Sequence, residues 1–284
     1  MQLDFWEQSL PFEYPFTISN GRTKTHQHSL MVRLSLGNCS GFGEAPAIVY
    51  YNVTVADMMA QLEKQRKLIE KFALIDPERF WHFLHHLFPN DPFLVCALDM
   101  AGWDLWGQMK KQPLHRLWNT QWETTGSKQP PICDYTLGID PIEKMVQKME
   151  AHPWPIYKVK VGTEYDIEMI TALRKHTDKP IRVDANAGWT TEEALLKIPA
   201  LANLGVELVE QPLAKDNWEG MAQLKQQAIL PLFADESCVF EKDVATCANY
   251  FDGINIKLTK CSGLTPALRM IKEARALGLK VMMG

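Results

Sequence analysis

Apolar and polar positions predict a first part of the chain made of strands followed by helices. Residues 3–18 and 28–44 alternate in the manner of β-strands, with Gly37-Asn38 marking a turn. Apolar residues then recur at helical spacing in four segments, 54–72, 77–87, 91–109 and 114–118. A sheet followed by helices predicts an α+β domain.

From about residue 132 a strand followed by a helix recurs along the chain. The predicted strands cover 132–138, 156–161, 180–186, 206–211, 230–235, 253–258 and 279–283. Such repetition is typical of β/α units on a parallel sheet, and seven in succession favour a closed barrel over a doubly wound sheet. The fold class predicted is therefore α/β, a TIM-type (β/α)7β barrel with an N-terminal α+β capping domain. Because this barrel needs eight strands, we expect its C-terminal end to be missing from the chain.

A polar stretch at 119–131, containing Gly126 and Pro130-Pro131, predicts the domain boundary. We place the capping domain at 1–125 and the catalytic barrel at 126–284. Loops at about 16–25 and 44–53 of the capping domain are expected to cover the site and select substrate side chains.

Composition narrows the classes of function. Hydrophobic residues make up 46% and charged residues 23%, a balance typical of globular proteins, and the net charge of −4 does not indicate binding of nucleic acid. No apolar run approaches the roughly 20 residues that cross a bilayer, and the N-terminus lacks the pattern of a secretory signal. The six scattered cysteines suit reduced thiols. We therefore expect a cytoplasmic protein without nucleic-acid or membrane partners, and a homo-oligomeric state is left open.

Two lysines on one strand are the first sign of chemistry. In Tyr157–Gly162, Lys158 and Lys160 point to the same face because successive strand side chains alternate. Strands of parallel sheets are usually apolar on both faces, so two ammonium groups here require an explanation. A solvated edge would explain them, but the acids at the following strand ends favour a site.

Carboxylates recur at the ends of the next three strands. Asp184, Glu210 and Asp235 are spaced by one β/α unit each and stand at the carboxyl ends, where barrel enzymes build their sites. Each alone could be a helix cap or a loop charge. Together they would repel one another unless a cation lay between them, and ligands that are all oxygen suit Mg²⁺, or Mn²⁺ as a substitute. The histidines at 82, 85 and 86 are interpreted as helix surface and packing.

A third lysine completes the predicted reaction. Lys160 on the second barrel strand and Lys257 on the sixth are expected to face each other across the metal site. One can remove a proton from the α-carbon of a bound carboxylate while the other returns it to the opposite face. Lys260 is interpreted as a loop charge.

Five motifs resemble the enolase superfamily, in its muconate lactonizing enzyme subgroup. They are Lys158-Val159-Lys160, Asp184-Ala185-Asn186-Ala187-Gly188-Trp189, Glu210-Gln211-Pro212, Ala234-Asp235-Glu236-Ser237 and Asn255-Ile256-Lys257-Leu258. Within the subgroup the chain is most similar to dipeptide epimerases, the relatives of L-Ala-D/L-Glu epimerase. The segment Asp134–Ile139 resembles the first barrel strand of those enzymes. The resemblance implies epimerisation of a small-molecule dipeptide through an enolate stabilised by Mg²⁺.

The same resemblance implies a role for each site residue. Lys160 and Lys257 would be the acid/base pair, and Thr136 and Lys158 would contact the substrate. The metal ligands would be the carboxylates of Asp184, Glu210 and Asp235.

Alternatives remain because the catalytic residues are shared across the subgroup. The Asp-x-Asp element that holds the dipeptide's ammonium group belongs to a last strand beyond Gly284, so the dipeptide assignment rests on overall resemblance. An o-succinylbenzoate synthase or N-succinylamino acid racemase would use the same residues, as would a muconate cycloisomerase. A barrel-fold binding protein is the alternative that is not an enzyme. Candidate specificity residues are Phe16, Ile18, Arg22 and Tyr50, and Arg22 or Lys24 would suit an acidic second residue.

Overall fold

A computed structural model describes residues 1–17, 23–118 and 131–284. The predicted domain boundary at 125/126 lies outside the described residues, as do the candidate specificity residues Ile18 and Arg22. Among the described residues no helix is both long and apolar enough to cross a membrane.

Within residues 1–17 and 23–118, a three-stranded sheet is followed by four helices. The strands are β1 (Gln2–Thr17), β2 (Thr23–Leu36) and β3 (Cys39–Pro46), in the order β1-β2-β3. The helices are α1 (Val55–Lys71), α2 (Pro77–Leu87), α3 (Pro92–Lys110) and α4 (Leu114–Leu117).

The strands differ from the prediction at two places. β2 and β3 are antiparallel and flank the predicted turn at Gly37-Asn38, so residues 28–44 belong to two strands. Both ends of the predicted loop at 16–25 are strand instead, because Phe16 belongs to β1 and Lys24 to β2. Tyr50 lies in a 3-10 turn, Val49–Tyr51, and is 61% exposed.

Two glycines allow α3 to pack directly against β3. A Cβ atom on Gly43 would lie 1.9 Å from the carbonyl oxygen of Ala97, and one on Gly41 would lie 2.1 Å from the amide nitrogen of Leu105. Only a residue without a side chain permits this backbone approach. Ala97 and Leu105 are both fully buried.

The second sheet is parallel and has seven strands. They are β4 (Tyr135–Leu137), β5 (Tyr157–Lys160), β6 (Ile181–Asp184), β7 (Val206–Glu210), β8 (Leu232–Ala234), β9 (Gly253–Ile256) and β10 (Lys280–Met283). Every neighbouring pair from β4 to β10 is parallel and the strands follow chain order, so the predicted β/α alternation is present. The fold is an α/β fold with a curled, half-barrel parallel sheet and a separate antiparallel sheet.

Helices connect the parallel strands. They are α5 (Ile142–Ala151), α6 (Asp166–Arg174), α7 (Thr191–Asn203), α8 (Trp218–Gln227), α9 (Val244–Cys247), α10 (Leu258–Cys261) and α11 (Leu264–Ala276). The prediction of a strand over 253–258 was wrong at its end. β9 stops at Ile256, because the amides of Lys260 and Cys261 donate to the carbonyl of Lys257 and form a helical turn.

Contacts within the chain divide it into two compact units. The first comprises Met1–Glu13, His26–Gln129 and Lys257–Met270, and the second comprises Tyr14–Thr25, Pro130–Ile256 and Ile271–Gly284. The segment that begins at Lys257 therefore belongs with the N-terminal helices, although β9 immediately before it belongs to the parallel sheet.

Candidate active site

Three buried carboxylates lie together at the carboxyl edge of the parallel sheet. Asp184 and Glu210 end β6 and β7 and are Cα partners in the register of the two strands, while Asp235 directly follows β8. One carboxylate oxygen from each of the three lies within 4.8 Å of the others. The strand-by-strand spacing in the sequence thus brings these acids to one place.

Two lysines of β5 contact this cluster. Lys158 Nζ lies 2.6 Å from Glu210 Oε2 and 2.9 Å from Asp184 Oδ2. Lys160 Nζ lies 2.7 Å from the same Asp184 oxygen. Both lysines therefore point to one face of β5, as alternation predicts. Thr136 of β4 is the Cα partner of Lys158, so it stands beside the lysine in the sheet.

Burial and opposite charges act against each other in this cluster. Burial favours the neutral amine of Lys158, but Asp184 and Glu210 outweigh it and hold the pKa of Lys158 above its ordinary value. Burial likewise favours protonated Asp184, yet the two lysines hold its pKa below the ordinary range. The pKa of Glu210 is raised, first by burial and then by the charge of Asp184, which Lys158 offsets only in part.

Two asparagines orient the charged groups. The amide nitrogen of Asn255 donates to Glu210 Oε1 at 2.7 Å, and Asn186 Oδ1 accepts from Lys160 Nζ at 2.9 Å. The backbone N–H of Asn186 also donates to Asp184 Oδ1 at 2.9 Å. Both asparagines stand inside motifs that the sequence singles out, but their neutral side chains gave no reason to assign them a role.

Gln211 ties the loops of the three acids together. Its fully buried side chain accepts from the backbone N–H groups of Asp235 and Ser237, at 2.9 and 3.1 Å, and donates to the Leu213 carbonyl and to Ser237 Oγ. Its own carbonyl accepts from the N–H of Ala187 in the loop after β6. One residue therefore connects the backbone that follows β6, β7 and β8. Sequence reasoning missed it, although it comes directly after Glu210.

The third lysine of the prediction lies in the other compact unit. Lys257 directly follows Ile256, the last residue of β9, and its carbonyl begins the turn of α10. The interpretation of Lys260 as a loop charge was wrong. It lies in α10 and is only 2% exposed, because the chain turns into a helix there.

The donor set fits a hard divalent cation. One oxygen of each of the three buried carboxylates lies within 4.8 Å of the others, and like charges this close in a buried site repel one another unless a cation lies between them. Oxygen ligands without cysteine or histidine are those that Mg²⁺ prefers. Asp184, Glu210 and Asp235 are the residues that could hold such an ion.

Comparisons with known proteins point to one family. The family described as Enolase C-terminal domain-like matches residues 141–284. An L-Ala-D/L-amino acid epimerase of Flavobacterium johnsoniae is 48% identical over 100% of this chain and 83% of its own length. An L-Ala-D/L-Glu epimerase of Bacteroides thetaiotaomicron is 36% identical over 100% of this chain and 73% of its own length.

A solved structure extends the likeness to the fold. The dipeptide epimerase of Enterococcus faecalis V583, complexed with Mg and the dipeptide L-Leu-L-Tyr, superposes with a TM-score of 0.91. The two are 30% identical, and the match covers 100% of this chain and 81% of that chain. The sequence motifs, the carboxylate cluster and these relatives lead to one assignment: the chain belongs to the enolase superfamily and, within it, to the family of dipeptide epimerases, which are isomerases.

Proposed function

We propose that this protein epimerises dipeptides in a reaction that depends on Mg²⁺. The observation that carries the proposal is the convergence of three buried carboxylates with Lys158 and Lys160 at the carboxyl edge of a parallel sheet. The names of the relatives support the class of substrate. Asp184, Glu210 and Asp235 are the proposed ligands of the ion.

The proposed reaction moves a proton at the α-carbon beside the substrate's carboxylate. Bound Mg²⁺ supplies electrostatic stabilisation of the negative charge that develops on that carboxylate. Neutral Lys160 takes the α-proton from one face, and protonated Lys257 gives a proton to the other face, with the roles reversed in the opposite direction. The strand order supports two opposed bases, because three strands separate β5 from β9, which Lys257 follows. Lys158 and Thr136 are proposed to contact the substrate.

The relatives also guide the choice of substrate. Two of them are named for dipeptides that begin with L-Ala, and one of these names leaves the second amino acid unrestricted. We therefore propose an L-Ala dipeptide epimerised at its second residue. That residue carries the free carboxylate whose neighbouring carbon the lysines would reach.

Three finer features of the prediction belong to the same proposal. The seven parallel strands are proposed to form part of a (β/α)7β barrel, with residues 1–125 as its capping domain and 126–284 as its catalytic domain. The loops at about 16–25 and 44–53 are proposed to select the substrate side chain. The six cysteines are free thiols, which supports a cytoplasmic location.

The decisive experiment follows deuterium exchange. The protein is incubated in D2O with Mg²⁺ and a set of L-Ala-L-X dipeptides, and mass spectrometry and chiral chromatography follow the second residue. We expect a gain of one deuterium together with the L-Ala-D-X epimer. Lys160→Ala and Lys257→Ala should each abolish epimerisation, while each still exchanges the proton of one epimer through the remaining lysine.

Two results would contradict the proposal. If the wild-type protein exchanged the α-proton of no dipeptide, the assignment of dipeptides as substrates would be wrong. If either lysine variant kept full epimerase activity, the two-base mechanism would be wrong. Thr190→Ala is the matched control, because Thr190 only caps α7, accepting from the N–H of Glu193. It should lower stability and leave both exchange rates unchanged.

A further inference from the structure

The chain after Lys257 forms one short, closed turn. The amides of Lys260 and Cys261 donate to the Lys257 carbonyl, and the amide of Gly263 donates to the Leu258 carbonyl. Ser262 and Gly263 then take left-handed conformations, with φ of 75° and 127°. The backbone of Lys257 is therefore rigidly connected to Ser262 and Gly263, five and six residues later.

Side chains of two N-terminal helices hold the far end of this turn. Trp81 Nε1 of α2 donates to the carbonyl and to Oγ of Ser262, at 3.0 and 3.2 Å. Asp99 of α3 accepts from the backbone N–H of Thr265 at 3.0 Å and from its Oγ1 at 2.8 Å. Trp103, one turn further along α3, donates to the same Oγ1 at 2.8 Å. The turn is thus fixed by directional bonds at both Ser262 and Thr265.

The fit between α3 and this turn leaves no spare room. A Cβ atom on Gly263 would lie 2.4 Å from Asp99 Oδ2 and 2.8 Å from its Cγ. The positive φ of Gly263 also favours glycine. The carboxylate of Asp99 therefore packs directly on the backbone that leads back to Lys257.

Stability alone does not explain a carboxylate in this position. Asp99 is fully buried, and burial raises its pKa to about 7. The titratable and charged groups that act on it or are affected by it are Cys96 of α3, Cys261 of α10 and Arg269 of α11. An apolar side chain of similar volume would often pack at lower cost than a buried carboxylate, but it could not accept from the N–H and Oγ1 of Thr265, so the carboxylate fixes the backbone at that point.

We propose that Asp99 is the positioning residue of Lys257: through Thr265 and the closed turn, the N-terminal helices set the place of one of the two proton-transferring lysines. The other, Lys160, is held by Asp184 of β6 and by Asn186 in the loop after it, and does not depend on this network. The proposal rests on the proposed function, since it assigns Lys257 one half of the reaction. Loosening the network should therefore impair one half of the reaction and leave the other intact.

The test measures the two halves separately. Initial rates of α-deuterium exchange in D2O are recorded from each purified epimer of one L-Ala dipeptide, and Lys160→Ala and Lys257→Ala identify which epimer depends on which lysine. Thr265→Val and Asp99→Leu should slow exchange of the epimer that depends on Lys257 by about 10- to 100-fold, the loss typical of a small misplacement. Exchange of the other epimer should stay within about threefold of the wild type.

Matched variants separate positioning from general loss of structure. Asp99→Asn keeps one oxygen to accept from the Thr265 amide, so it should retain more of the selective rate than Asp99→Leu. Asp104→Asn is the control on the same helix, because Asp104 accepts from the amide of Phe42 and does not contact the turn. It should change neither rate. Equal slowing of both epimers, or no slowing of either, would overturn the proposal.

A readout without substrate keeps this inference distinct from the proposed function. Backbone amide exchange over residues 257–265, followed by mass spectrometry, should be faster in Asp99→Leu than in Asp104→Asn. If the wild type exchanged no dipeptide, the proposed function would fail, and unchanged amide exchange would then overturn the positioning as well. Faster amide exchange together with unchanged rates for both epimers would show that the turn does not place Lys257.

Discussion

Replacing Gln211 by methionine should weaken the metal site more than it weakens the fold. The methionine keeps the length and apolar stem of the glutamine but removes both of its polar atoms. Three buried groups then lose the bond that Gln211 gives them, the amides of Asp235 and Ser237 and the carbonyl of Leu213. Ser237 Oγ also loses a bond but keeps the one that it donates to the Lys215 carbonyl. At about 1–3 kcal/mol for each orphaned group, with some relaxation, the free energy of unfolding should fall by about 3–5 kcal/mol.

The effect on the metal follows from the backbone of Asp235. Its amide is one of the two that Gln211 holds, so the variant frees a proposed ligand to move. Outer partners of metal ligands typically contribute 10- to 100-fold in affinity, so Mg²⁺ should bind about 10- to 100-fold more weakly. In excess Mg²⁺ the stabilisation that the ion provides should fall by about 1.4–2.7 kcal/mol.

Two measurements separate these effects. Urea unfolding without Mg²⁺ gives the cost to the fold, and calorimetric titration with Mg²⁺ gives the affinity. Thr190→Ala is the control, because loss of its N-cap costs about 1 kcal/mol in the same compact unit without touching the acids. Should Gln211→Met bind Mg²⁺ as tightly as the wild type, Gln211 does not organise the ligands and the reasoning fails.

Three further predictions concern pH, a second buried acid and the ion itself. The folded pKa of Asp99 is raised from 3.8 to about 7, so the folded state holds its proton more tightly and stability falls as pH rises through that window, by up to about 4 kcal/mol. Urea unfolding at pH 5 and 7.5 should show about 2.5 kcal/mol of this fall in the wild type. An equal fall in Asp99→Asn would contradict it. Asp166 accepts from Trp189 Nε1 and Lys197 Nζ, so Asp166→Ala should cost about 3–5 kcal/mol, whereas exposed Glu168→Ala should cost under about 0.5 kcal/mol. If urea unfolding gave equal losses of stability for Asp166→Ala and Glu168→Ala, the stabilising role of Asp166 would be refuted. Mg²⁺ should raise the melting temperature, a chelator should reverse that rise, and NaCl of equal ionic strength should not produce it. A similar rise in Asp184→Asn would contradict the proposed metal site.

The sequence was most informative where charged residues recur at the ends of consecutive predicted strands. Acids at the ends of consecutive strands must meet if the strands are parallel neighbours, and register places Asp184 beside Glu210. The choice of dipeptides among related substrates did not follow from these residues, because the subgroup shares them. It required the likeness to named relatives.

Contacts between distant segments escaped prediction. Nothing local marks Lys260 as buried, because its burial depends on a turn whose anchors, Trp81 and Asp99, stand more than 150 residues earlier. Gln211 was missed because an uncharged side chain between Glu210 and a proline gives no electrostatic signal. Its φ of 36°, left-handed without being glycine, is visible only in the structure.

The grouping of residues 257–270 with the N-terminal helices sets a rule for building chimeras from this family. A graft that exchanges residues 1–118 for those of a relative would also exchange Trp81, Asp99 and Trp103, the donors and acceptor that meet Ser262 and Thr265. The recipient's own residues 257–270, which begin directly after β9, would then pack against side chains of another protein. Chimeras that exchange residues 1–118 and 257–270 together should be active. Chimeras that exchange residues 1–118 alone should fold but lack activity.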